Sequence, residues 1–183
     1  LSSTEFAPLL STPLTVSTRI TRALVVGDKL TGHTNVFIAN AAGAPSTDDL
    51  AAVDGVSQAY ATPVAHTTST LKATEVPVTA AFVVYLPAAY NTAALQAAMV
   101  AAAQAYVTAL PIGGLSDPGG DFTNVLPIAD ILGATVFEVA AARGAQVTNA
   151  TCTLNAGTAN ISLPVSSSLA SVAVLSPATP TIT

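Results

Sequence analysis

One stretch restricts the architecture of this chain more than any other: NTAALQAAMVAAAQAYVTALP, residues 91–111. Before Pro111 its apolar run is interrupted only by Asn91, Thr92, Gln96, Gln104 and Thr108. It is long enough to cross a bilayer, for which about 20 apolar residues suffice. The residue types argue against that. Leu95, Met99, Tyr106 and Leu110 follow one another at spacings of four, seven and four, one stripe of a helix, with Ala102 and Ala103 filling the gap. Val100 and Val107 widen the stripe, while Gln96 and Gln104 lie off it. A membrane span carries Leu, Ile or Phe all round and favours basic and aromatic flanks, and this stretch has neither. The pattern predicts a helix buried in protein, capped by Asn91 and ending at LPIGG. Its small side chains let other backbones approach closely.

Composition sharpens this reading. Charged residues make up 8% of the 183, against about 25% in an ordinary soluble domain, although 51% are apolar. Thr, Ser, Asn and Ala must therefore cover the outside, which suits a chain packed against neighbours and also fits an unusual secreted protein. The five basic residues are the scattered Arg19, Arg22, Lys29, Lys72 and Arg143, and the net charge is −5. Nucleic-acid binding needs clustered cations, so no nucleic-acid partner is expected. Cys152 is the single cysteine, which excludes an intramolecular disulfide framework and a cysteine zinc site. The start has neither an initiator Met nor a basic-then-apolar leader, the pattern of a processed chain or a piece of a longer one.

Residues 1–18 mix Pro, Ser, Thr and isolated apolars without a period, and read as an N-terminal arm or linker. RALVVGD (22–28) and TNVFIANA (34–41) read as strands around a turn at Gly32. Ser46 and Asp49 have capping-box spacing and open a helix expected to run to about Tyr60, before Pro63. The Thr/Val-rich span 67–86 favours strand, either an edge or two strands meeting at Pro77. After the glycine-rich loop 113–120, the second half of FTNVLPIADILGATV suits a short helix. Short strands are expected over 145–154, 159–163 and 171–176, with NAGT as a turn. Gln58-Ala59-Tyr60 and Gln104-Ala105-Tyr106 end the two helices alike, 46 residues apart, each helix following a strand pair. The fold class expected is α/β (α+β): a first unit over 19–66 and a second over 67–183, each a short sheet with an alanine-rich helix packed on it.

The search for chemistry returns little. GDKLTGHT (27–34) has phosphate-loop glycine spacing, but His33 stands where the loop needs Lys, and a strand follows where it needs a helix. His33 and His66 lack the i+3 or i+4 partner of a ligand pair. No Gly-x-Ser-x-Gly elbow presents a nucleophile. Asp117 and Asp121 flank a PGG turn without an EF-hand pattern and read as a solvated loop. The triplets at Asn149 and Asn160 fit the glycosylation signal, which arises by chance in Thr-rich sequence. No catalytic residue, cofactor, metal site or small-molecule substrate is expected, and the chain is read as a non-enzyme.

The order of these pieces resembles a known family. TEVPVTAAFVVYLPAAYN, the alanine-rich helix, YVTALPIGG, LPIADIL and the terminal NAGTANISLP…LASVAVLS are similar to baseplate J-like proteins of contractile phage tails. The strand at RALVV through VSQAYATP is similar to the middle unit of that family, so the resemblance spans roughly residues 19–176. Fuller members carry a further region ahead of these units, where this chain has only the short arm. The resemblance implies a structural wedge subunit of the baseplate, linking wedges into a ring around the tail tube. Its partners would be other baseplate or tail proteins and further copies of itself. It would reside in the virion tail after assembly in the host cytoplasm. The alternative is another assembly subunit: capsid, tail tube or surface layer.

Overall fold

The computed structural model describes residues 19–28, 31–61, 67–116, 124–176 and 181–182. The expected arm at 1–18, His66, and Asp117 with Asp121 lie outside them. The described residues form two compact units. The first comprises those up to Val76 with Pro111–Gly114 and Leu163–Val172, and the second holds the remainder. The fold is α+β, with several small sheets and short helices.

In the first unit, β1 (Ile20–Asp28) and β2 (His33–Asn40) pair antiparallel, from Asp28 opposite His33 to Ile20 opposite Asn40, with a bulge between Ile20 and Arg22. Gly32, at φ 66°, takes the left-handed conformation that the turn needs and that glycine adopts without a Cβ clash. The chain then enters α1 (Thr47–Val56), whose first turn is closed as its sequence predicts. Ser46 Oγ accepts from Asp49 N at 3.2 Å, and Ser46 N donates to Asp49 Oδ2 at 3.2 Å. Arg19 clamps the same carboxylate, its Nη2 lying 2.8 Å from Asp49 Oδ1. After α1 a π-helical turn (Ser57–Ala61) extends the helix to about its expected end.

β3 (Thr67–Lys72) lies parallel to β2, from His33 opposite Thr67 to Ile38 opposite Lys72, completing a sheet ordered β1-β2-β3. A parallel pair needs a crossover, and α1 supplies it. The boundary drawn from sequence at residue 66 thus falls just before a strand that belongs to the first sheet. Asp54 Oδ1 accepts from Thr70 N at 3.1 Å and ties helix to strand. One face of the sheet buries Ile20, Val36 and Ile38 with Val53 of α1, flanked by Ala23, Val25 and Leu50. β2 buries its other face too, with Phe37 and Ala39. Asn35 on that face donates to Ser167 O, which places the 163–172 segment there.

The 67–86 span is three strands. β3 ends at Lys72, β4 (Thr74–Val78) pairs with β10 (Ser171–Leu175), and β5 (Ala80–Tyr85) is the central strand of a separate three-stranded sheet. Pro77 lies within β4. β8 (Asn149–Leu154) runs antiparallel to β5, and β11 (Thr181–Ile182) runs parallel to it. β8 begins at Asn149, later than the expected 145. β4 and β5 therefore do not form a hairpin ahead of the long helix as β1 and β2 do ahead of α1. The echo between the helix endings does not extend to the strands before them.

The turn after β8 is NAGT as expected. Asn155 and Ala156 have φ 50° and 60°, and Leu154 and Gly157 exchange hydrogen bonds of 3.0 and 2.9 Å. Two successive positive φ angles are the signature of a type I′ turn. The Asn155 side chain reaches the β4–β5 junction: Oδ1 accepts from Thr79 N at 2.7 Å and Thr79 Oγ1 at 3.2 Å, and Nδ2 donates to Pro77 O at 3.3 Å.

The alanine-rich run folds as α2 (Ala93–Ala109). Its cap is Thr92, not Asn91: Thr92 Oγ1 accepts from Leu95 N at 3.2 Å, while Asn91 Oδ1 accepts from Gln96 Nε2 at 2.9 Å. A cap oxygen accepts from the amide two or three residues on, and Leu95 is the third residue after Thr92. Leu95, Met99, Ala103 and Val107 are buried at i+4 spacing, with Leu110 just beyond. Tyr106 is half-buried at the margin. The partner of α2 is not chiefly a sheet, as expected from sequence. It packs most extensively on a helical segment built from α3 (Ile128–Leu132), a π-helical turn (Gly133–Phe137) and α4 (Glu138–Ala141). Ile131, Val136 and Ala140 are buried there. This segment is longer than the short helix the sequence suggests. A small sheet ordered β6-β7-β9 (Leu115–Ser116, Asn124–Leu126 and Ile161–Ser162) completes the unit.

Candidate functional site

The parallel register of β2 and β3 builds a chain of polar side chains that sequence spacing does not reveal. His33 and Thr67 are direct partners, and His33 Nδ1 lies 2.6 Å from Thr67 Oγ1. Asn35, two residues along β2 and so on the same face, places Oδ1 at 3.0 Å from His33 Nε2. Asn35 Nδ2 donates to Ser167 O at 2.5 Å, which orients the amide and leaves Oδ1 for the histidine. An oxygen acceptor at Nε2 requires the proton on that nitrogen. In the neutral ring, Nδ1 is then the acceptor of the Thr67 hydroxyl.

A hydroxyl, a ring nitrogen and an orienting amide in series are the contacts of a nucleophile, base and orienter. The surrounding geometry departs from that pattern. Thr67 lies within a strand rather than on a sharp turn, and its own amide is engaged by Gly32 O at 3.4 Å. Its Oγ is on a secondary, β-branched carbon with restricted rotation. The chain holds β2, β3 and the 163–172 segment in register. His33 is thus half-buried and doubly bonded, where the sequence suggests a surface or turn residue.

The other residues tested by sequence fall as follows. Gly27 and Asp28 end β1, and Gly32 leads straight into β2, so no helix follows the phosphate-loop spacing. Asn149 is exposed at the start of β8, opposite Tyr85. Asn160 Oδ1 accepts from Ile128 N at 3.0 Å, capping α3 where Pro127 provides no side-chain cap. Cys152 is buried on β8, and desolvation pushes its thiol up to about 11. Among the described residues, no group of three His, Cys, Asp or Glu side chains could hold a metal, and no helix is long and apolar enough to cross a membrane.

No family model and no curated protein sequence matches this chain.

The remaining distinctive surfaces are apolar and uncharged. The face of α2 away from its buried stripe is a ridge of exposed alanines at i+4 spacing: Ala93, Ala97, Ala101, Ala105 and Ala109. No charged residue occurs between Asn91 and Leu110. On β5, Val83 and Tyr85 are 39% and 55% exposed, opposite Thr151 and Asn149 of β8. Residues directly opposite in an antiparallel pair share a face, so these four form one uncharged patch.

Proposed function

We propose that this chain is a structural wedge subunit of a contractile phage tail baseplate, or of a related injection system, linking wedges into a ring around the tail tube. The observation that supports it most is the outward face of α2. A helix facing solvent normally carries charge on that side, which keeps the surface soluble and unassociated. Here the outward side is an alanine ridge without charge along the whole helix. Small side chains on a rigid helix let a neighbouring backbone approach closely and exchange dispersion contacts along its length. The order of sequence motifs similar to baseplate J-like proteins supplies the specific assembly.

In this reading the partners are other baseplate or tail proteins and further copies of the chain, the site of action is the virion tail after assembly in the host cytoplasm, and no reaction is catalysed. Electron microscopy of purified particles carrying a tagged chain tests it. Density for the tag at the tail end is the expected result. Density at the capsid or along the tube would replace the reading with another assembly role, and a chain absent from every particle would end it.

A further inference from the structure

β3 is the last strand of the sheet ordered β1-β2-β3, and among the described residues no strand pairs with its outer side. Two backbone bonds fix which groups lie on that side. Thr67 N donates to Gly32 O and Ala73 N to Ile38 O, so the odd-numbered residues turn their polar groups towards β2. Alternate residues of a strand turn their amides and carbonyls to opposite sides, so Thr68 and Thr70 turn theirs outward. An edge of this kind is a template for any extended chain, and folded proteins usually blunt it with Lys, Pro or a bulge. The six residues of β3, TTSTLK, are rich in β-forming Thr, contain no Pro, and carry Lys72 only at the last position.

The outward groups are met by side chains instead. Thr70 N donates to Asp54 Oδ1 at 3.1 Å, and Thr68 O accepts from Gln58 Nε2. The chemistry matches group by group: a carboxylate only accepts and faces the amide, while an amide nitrogen donates and faces the carbonyl. The placement matches as well. Asp54 in α1 and Gln58 in the π-helical turn are four residues apart, on one side of the helix. The later helical residue meets the earlier strand residue, so the helix runs antiparallel to β3 along its edge. Val53, next to Asp54, is buried against the sheet face and fixes the helix where both side chains reach. Together the two supply the acceptor and the donor that an added strand would bring.

We propose that Asp54 and Gln58 are an edge guard: they take the place of a fourth strand on β3 and keep a second copy of the chain from pairing there. In a chain with only 8% charged residues, little else keeps copies apart, and a blocked edge confines association to other surfaces. The guard stands on the geometry of this sheet alone, so its failure would leave the tail reading untouched.

Asp54→Ala/Gln58→Ala removes both side chains and leaves the backbone of β3 intact. In analytical ultracentrifugation at tens of micromolar, the full chain with both changes is expected to sediment as a larger species than wild type, growing with concentration. At a dilution where it does not associate, exchange of the Thr70 amide should be roughly tenfold faster than in wild type. The amides of Thr67 and Ala73, bonded towards β2, should keep their wild-type rates. Ser46→Ala loosens the first turn of the same helix without touching β3, and is expected to keep the wild-type mass. Asp54→Asn retains an oxygen acceptor, and should keep both the mass and the protection of Thr70. If circular dichroism shows the double variant unfolded, Gln58→Glu decides in its place. It changes an exposed side chain and sets a carboxylate against Thr68 O, so it too should raise the mass. A folded double variant of wild-type mass, a Gln58→Glu chain of wild-type mass in its stead, or a Ser46→Ala chain that associates as strongly would each overturn the proposal.

Discussion

Asn155 links a turn to a strand junction 76 positions earlier, and its replacement has a calculable cost. Asn155→Ala removes the two bonds that Oδ1 accepts from Thr79, at 2.7 and 3.2 Å, and the longer one from Nδ2 to Pro77 O. These groups are exposed, so water compensates in part, and each of the two Oδ1 bonds is worth about 0.5–1 kcal/mol. The backbone adds a second cost, because Asn155 has φ 50°. Left-handed conformation costs an ordinary L-residue about 1–2 kcal/mol, and Asn offsets much of this through local hydrogen bonds. The sum is a loss of about 2–3 kcal/mol, a fall in Tm of roughly 5–10 °C for a chain of this size. Asn155→Asp keeps the acceptor and the turn preference and should lose only about 1 kcal/mol, the Nδ2 bond being the part it gives up. Asn155→Gly relieves φ without restoring any side-chain bond, so it should fall between them. Urea unfolding followed by circular dichroism ranks the three, and hydrogen exchange at the Thr79 amide gives the local readout. An Asn155→Ala chain within about 0.5 kcal/mol of wild type, with Thr79 still protected, would refute the assignment of Asn155 as the clamp.

Three further outcomes follow from two titratable groups, Cys152 and Tyr106. Burial raises the Cys152 thiol to about 11, so it remains protonated at pH 8 and should resist a thiol reagent until guanidinium unfolds the chain; rapid labelling of the native protein would contradict this. The unfolded thiol ionises near 8.5, so between that pH and 11 the folded state holds the extra proton. The stability that Cys152 contributes is complete below about 8.5 and is lost as pH rises towards 11. Tyr106 Oη is buried with no hydrogen-bond partner among the described residues, and its phenol is pushed up to about 12, first by desolvation and then by Asp130. Tyr106→Phe deletes an unmet polar atom while keeping the ring, and should leave stability unchanged or raise it by up to about 1 kcal/mol. A clear loss in thermal unfolding would show that the hydroxyl has a partner.

The features legible in the sequence are those whose cause spans about one helical turn. Ser46 and Asp49 close a box across three positions, Leu95 and Met99 define a stripe at i+4, and NAGT contains both residues of its turn. Even here the cap moved by one residue, from Asn91 to Thr92, because two neighbouring polar side chains compete for the same amides. The His33–Thr67 contact had no signal in spacing, since its partners lie 34 residues apart and meet only through the parallel register of β2 and β3.

The sequence alone determined the α+β class, the first helix cap, the buried stripe of α2 and the sparse charge. Each is a property of composition or of residues within a few positions of one another. Tertiary structure decided which strands pair. The 67–86 span could have been one edge or two strands, and it became three, each bonded to a different neighbour. Thr/Val strands of this kind carry few charges to reject a wrong partner: Lys72 ends β3, Glu75 lies in β4 and β5 has none. Pairing is therefore selected by chain closure, by the crossover helix and by long-range clamps such as Asn155 and Asn35, which act only when distant segments are already together.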